Sequence, residues 1–227
     1  MSRRSLSILS ALSGIAGPVM LGLSFVINNQ SPPTNATAAQ WSEFGREHFA
    51  SIVWGAWLQA VSPVLIVLFA LTIVFLGGAT TRLAGWMTML GASILMTVSL
   101  VEVTFYIGAL EGPEGQLGSD SLGLISAVQH LYFIVATPAF FLPLGVVLLS
   151  STVLPRVFGY LALALGVGFA ALGVGFLYSL TLPALVTYSA FLSALWFWAA
   201  AITLLVRALR SGSEEGLAAA EQRQGAF

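Results

Sequence analysis

The sequence predicts an all-α integral membrane protein, a bundle of six transmembrane helices with both termini cytoplasmic. Three observations predict it. The chain of 227 residues is 58% hydrophobic and 7% charged, with a mean hydropathy of +0.94, whereas a soluble domain carries roughly a quarter charged residues. Its apolar runs are long enough to cross the bilayer core of about 30 Å, which takes roughly 20 helical residues. Its arginines also sort to one side of the spans those runs define.

The spans fall at about 6–27, 48–77, 84–110, 122–150, 157–180 and 184–209. The basic start and apolar run of the first resemble a signal peptide, but Leu6 to Ile27 is long enough to span and reads as the first membrane helix. Asn28-Asn29-Gln30-Ser31-Pro32-Pro33 ends it, because two prolines and three amides favour turns. Gly77 to Arg82 separates the second span from the third, and Glu111-Gly112-Pro113-Glu114-Gly115 closes the third. Ser150-Ser151-Thr152 with Pro155-Arg156 divides the fourth from the fifth, and Pro183 suits the first turn of the sixth.

Arg3, Arg4, Arg82, Arg156, Arg207, Arg210 and Arg223 then lie on one side and Arg46 alone on the other. Basic loops stay cytoplasmic, so this asymmetry gives the orientation and supports the even count. The short loops and compact size lead to the expectation of a plasma membrane of the bacterial inner-membrane type. Two polar pieces remain. Asn28 to Glu47 forms an external loop whose later half, Ala38 to His48, reads as an interfacial helical lead-in; its sequon Asn35-Ala36-Thr37 carries no assigned role. Residues 211–227 read as a disordered cytoplasmic tail behind a transmembrane domain of 1–210.

A faint tandem repeat relates the second and third spans to the fourth and fifth. Ser62-Pro63 and Arg82-Leu83-Ala84-Gly85-Trp86 align with Thr137-Pro138 and Arg156-Val157-Phe158-Gly159-Tyr160 at an offset of about 75 residues. Transporters place sites between such repeats. The fifth span carries Gly166, Gly173, Gly168 and Gly175, small residues that permit close helix approach. The tryptophans mark membrane boundaries, with Trp57 and Trp198 deep enough to line a cavity.

Composition excludes several chemistries. All eight basic residues are Arg and there is no Cys. Lysine imines, thiolate nucleophiles, Fe–S clusters and thiolate zinc sites are therefore absent. No phosphate-cradling or dinucleotide glycine motif occurs, and the net charge of −1 gives nucleic acid nothing to bind. The partners expected are the lipid bilayer and a small-molecule or ion ligand.

A charged group inside hydrocarbon costs about 2.5–3.5 kcal/mol on insertion scales, so each one asks for a reason. Two stand clear of the boundaries: Glu102 on the third span and His130 on the fourth. Both lie ~12–14 Å below the outer boundary at the helical rise of ~1.5 Å per residue. Their spans are joined by a short loop, so a direct Glu102–His130 hydrogen bond is expected. Ser99, Glu102 and Tyr106 share one face, as do Ser126, His130 and Thr137 with Gln129 beside them. Gln59 and Ser62 add to this from the second span. The candidate ligand-binding set is Glu102, His130, Tyr106, Ser99, Gln129, Ser126 and Gln59.

Three functions fit that set: a proton-linked transporter or binding protein, a membrane-embedded enzyme on a lipid or isoprenoid with His130 and Glu102 as acid and base, or a structural subunit. A serine nucleophile beside His130, Ser99 or Ser126, is a weaker variant of the second. No cofactor is specified. Haem or a metal held by His48, His130 and a carboxylate (Glu102 or Glu47) meets a depth mismatch of ~12 Å, so no metal site is assigned. A transporter predicts access toward both faces or helices broken near Pro63, Pro138 or Pro143. An enzyme predicts a pocket open to lipid. A structural role predicts Glu102 and His130 in contact with no cavity beside them.

Overall fold

Six helices are long and apolar enough to cross a membrane. They belong to a computed structural model that describes residues 2–28, 37–111, 124–125, 127–176 and 183–224. The helices are α1 (Arg3–Ile27), the short α2 (Ala38–Glu47), α3 (Phe49–Leu76), α4 (Leu83–Glu111), α5 (Ala127–Leu149), α6 (Arg156–Phe176) and α7 (Pro183–Gln224). All but α2 are spans.

Local sequence explains the ends. The Ser2 side chain accepts from the Ser5 N–H at 3.1 Å and caps α1. Thr37 and Gln40 form a reciprocal capping box that starts α2, the helical lead-in expected before the second span. Gly78 takes φ +61° in the α3–α4 turn, a conformation that suits glycine. The last helix departs from expectation. Helical backbone continues through Gln224, where the sequence reading ends the span at 209 and leaves a disordered tail. Leu217, Ala218, Ala219, Ala220, Glu221 and Gln222 are strong helix formers, and in a helix already nucleated they offset the cost of about 1 kcal/mol at each of Gly212 and Gly216.

Each span packs on the next, α1 on α3, α3 on α4, α4 on α5, α5 on α6 and α6 on α7, and α7 closes the ring on α1. At one end of the ring Arg207 Nη1 donates to the Thr152 and Val153 carbonyls, both at 2.9 Å, and Arg4 Nε to the Ala208 carbonyl at 3.3 Å. The start of α1, the α5–α6 turn and the Arg207 turn of α7 therefore meet at the basic end. The half of the ring nearer that end is solid. Phe69, Phe140, Phe141, Leu144, Leu148, Trp196, Phe197 and Ala200 are almost wholly buried in one cluster.

Glycine lets α5 and α6 pack closely. On α6, Gly159, Gly166 and Gly173 recur every seven residues and face α5. A Cβ at Gly159 would lie 3.0 Å from the Gly145 carbonyl oxygen, at Gly166 2.7 Å from Leu142, and at Gly173 2.9 Å from the backbone of Phe133 and Ile134. Gly168 and Gly175 meet nothing within 4 Å, so only one of the two glycine pairs expected to pack does so. Gly166→Leu should therefore lower the melting temperature, overpacking costing about 1–3 kcal/mol. Gly168→Leu should hold or raise it through helix propensity. Equal shifts in detergent-purified protein would refute this facing.

Hydroxyls on the lipid side are satisfied locally. Thr72, Ser93, Thr97, Thr104 and Thr203 each donate to the carbonyl four residues earlier, at 2.7–3.0 Å. Trp198 donates to the Ile15 carbonyl at 3.2 Å, and Trp57 is 51% exposed. Neither lines the interior space, contrary to expectation.

Candidate functional site

Away from the basic end the ring encloses a cavity of about 160 Å³ lined by all six spans. On α4, Ser99 and Glu102 are one turn apart and turn inward together, as their spacing requires. Glu102 is 4% exposed. Its Oε2 accepts from Gln59 Nε2 of α3 at 2.8 Å and from the Tyr132 hydroxyl of α5 at 3.1 Å. Its Oε1 accepts from Gln129 Nε2 at 2.9 Å. The Tyr132 and Ser99 hydroxyls are 2.7 Å apart. Three helices are thus tied to one carboxyl group.

The expected Glu102–His130 contact is not what forms. The described partners of Glu102 are Gln59, Gln129 and Tyr132, and His130, half-buried, does not line the cavity. Helical geometry explains the exchange. Gln129 and Tyr132 are three apart and share a face, and His130 is about 100° round from Gln129. A π-helical turn, Tyr132–Ala136, then breaks the regular period. Its Thr137 N–H donates to the Tyr132 carbonyl, five residues back. Pro138 follows; it has no N–H, and its ring disfavours a regular turn over the Ile134 carbonyl. The extra residue rotates everything before the turn relative to everything after it. Gln129, Tyr132 and Phe133 therefore share the cavity wall with Thr137 and Phe141. The face read as Ser126, His130 and Thr137 assumed an unbroken α-helix.

Of the expected site residues, Gln59, Ser99, Glu102 and Gln129 come together at the wall. Tyr106 lies one turn further out and does not line the cavity. Ser126 lies outside the described residues. His48 sits at the α2–α3 junction with its ring 4.4 Å from Phe44. Among the described residues no three His, Asp or Glu gather as metal ligands. Sequence reasoning missed Tyr132, whose signal was its three-residue spacing from Gln129. It also missed the aromatic wall of Phe133, Phe141, Phe169 and Phe197.

The floor of the cavity is aromatic. Phe141 stacks on Phe169 at 6.4 Å, with planes 3° apart, and its centroid is 5.6 Å from that of Phe197 and 5.3 Å from that of Trp196. Ser62 and Ile66 of α3, Leu95 of α4, Thr137 and Phe141 of α5 and Phe169 of α6 all belong to the lining.

No family model, curated protein or solved structure matches the chain.

Proposed function

We propose that this multi-pass membrane protein is a small-molecule carrier whose ligand occupies the cavity with its polar end at Glu102. One observation carries the reading: a buried carboxyl group, held by three helices, faces a cavity to which every span contributes. Mere packing explains the hydrogen bonds but leaves the space beside them without a role, since interiors ordinarily close such voids. Binding cavities of this kind are preformed and mostly apolar, with a few converging polar groups. The π turn at the wall and a lining shared by both hairpins favour carriage over simple binding. Carriers hold ligand between repeats, against interrupted helices, and π turns concentrate at functional sites. Acid–base catalysis has less support, because its base, His130, is not at the wall. By the positive-inside rule the basic end is cytoplasmic, in a plasma membrane of bacterial inner-membrane type, and the cavity lies in the outer half.

The chain has no cysteine, so a single introduced thiol reports access. Ser193→Cys, at the cavity wall, should react with a charged thiol reagent added to either face of oriented vesicles. Ser93→Cys, on the lipid face, should react from neither. Reaction of Ser193→Cys from one face alone would remove carriage and leave a receptor. Reaction from neither would remove the binding reading altogether.

A further inference from the structure

We propose that the ligand is a small organic monocation, an alkylammonium or aralkylammonium whose charged nitrogen pairs with Glu102. This rests on the carrier reading and adds the ligand class to it.

The first ground is charge. The donors around Glu102 are two primary amides and a phenol, all neutral. No arginine is among the described residues that line the cavity, and the chain has no lysine. The carboxylate therefore lacks a counter-charge at the wall, and a buried charge is tolerated best when it is paired. The second is valence. Oε2 takes two donors and Oε1 takes one. A carboxylate offers about four lone-pair sites, which leaves Oε1 able to accept from a ligand N–H. The third is the remaining wall. Phe133, Phe141, Phe169 and Phe197 offer apolar bulk to an alkyl or aryl group, and aromatic rings attract cations. The fourth is size. A cavity of about 160 Å³ is close to the ~150 Å³ that holds one benzene in an engineered core.

The same features reject other classes. An anion would meet a carboxylate with no basic group to offset it. A sugar needs many uncommitted donors and acceptors, yet Ser62 already donates to the Gly17 carbonyl at 2.8 Å and Ser193 to the Ser189 carbonyl at 3.0 Å. A bare metal ion prefers several converging oxygens, and two of the three groups on Glu102 present amide nitrogen.

The test is a matched series at pH 7: n-butylammonium, n-butanol and butyrate, each titrated into detergent-purified protein in potassium and in sodium buffer. Melting temperature is the readout. On wild type, n-butylammonium should stabilise with at least ~10-fold tighter apparent affinity than n-butanol, a difference of about 1.4 kcal/mol; butyrate should do nothing. Glu102→Gln keeps the shape and an acceptor oxygen, and it should abolish the preference. Should that variant not fold, the series on wild type decides alone. Equal stabilisation by n-butanol would overturn the cation and leave the carrier standing. A butyrate preference, or the same shift from sodium or potassium alone, would also overturn it. No response to any member overturns the ligand class, and the thiol-access result then judges the carrier reading separately.

Discussion

Gly91→Val should abolish recovery of folded protein, whereas Gly108→Val on the same helix should leave it nearly unchanged. At Gly91 a Cβ would overlap the carbonyl of Ala139 and lie 2.7 Å from the Phe140 backbone nitrogen. Both obstacles are main chain, so no rotamer change relieves them. The α4–α5 crossing would have to open. Overpacking by a side chain typically costs about 1–3 kcal/mol; a backbone clash that separates two spans costs more, and whole-protein stability is only about 5–15 kcal/mol. At Gly108 a Cβ meets nothing within 4 Å, which makes it a control for helix propensity on α4. The milder Gly91→Ala tests the link to the site. The crossing lies ~16 Å along α4 from Glu102 at the helical rise, and it sets how close α4 stands to Gln129 and Tyr132. Gly91→Ala should therefore weaken ligand stabilisation as well as the fold. Matching melting temperatures for the Gly91 and Gly108 valine variants would remove this account of the crossing.

How much of this was legible follows from which physical rule decided each feature. The six spans were, because bilayer thickness imposes a length that sequence shows directly: α3 runs Phe49–Leu76 against an expected 48–77, and α4 Leu83–Glu111 against 84–110. Ser99 and Glu102 on one inward face were legible through the 3.6-residue period. Gln59 and Gln129 were legible as amides near the right depth. The partner of Glu102 was not. That choice turns on the azimuth of α5, which the π turn before Pro138 resets, and a one-residue insertion in helical phase leaves no mark on hydropathy. The glycine face was half legible for the same reason. Gly166 and Gly173 pack while Gly168 and Gly175 do not, and only the neighbour's position tells the pairs apart. A polar pocket was expected from the stripes around Glu102; its aromatic wall was not legible, because residues such as Phe133 and Phe169 each read as core.

Removing the floor ring is the second large effect expected. Phe141 is 2% exposed and borders both the solid core and the cavity. Phe141→Ala should cost about 3–5 kcal/mol, the range for large-to-small core changes, together with ring contacts to Phe140 at 5.2 Å, Trp196 at 5.3 Å and Phe197 at 5.6 Å. Phe75→Ala, at a position 55% exposed on the outside of the bundle, should shift melting little, because lipid or detergent fills the gap there. Stability alone would not separate a floor from ordinary core, so access supplies the second readout. Ala200 is fully buried in the same cluster, one turn beyond Phe197 toward the basic end. In a protein that moves between two access states, a thiol at Ala200→Cys should react slowly and only from the cytoplasmic face while Phe141 is present. Phe141→Leu, which keeps enough bulk to fold, should let a reagent from the outer face reach that thiol through the cavity. If Phe141→Leu leaves the outer-face rate unchanged, the stacked rings are packing that happens to border a space and do not act as a gate.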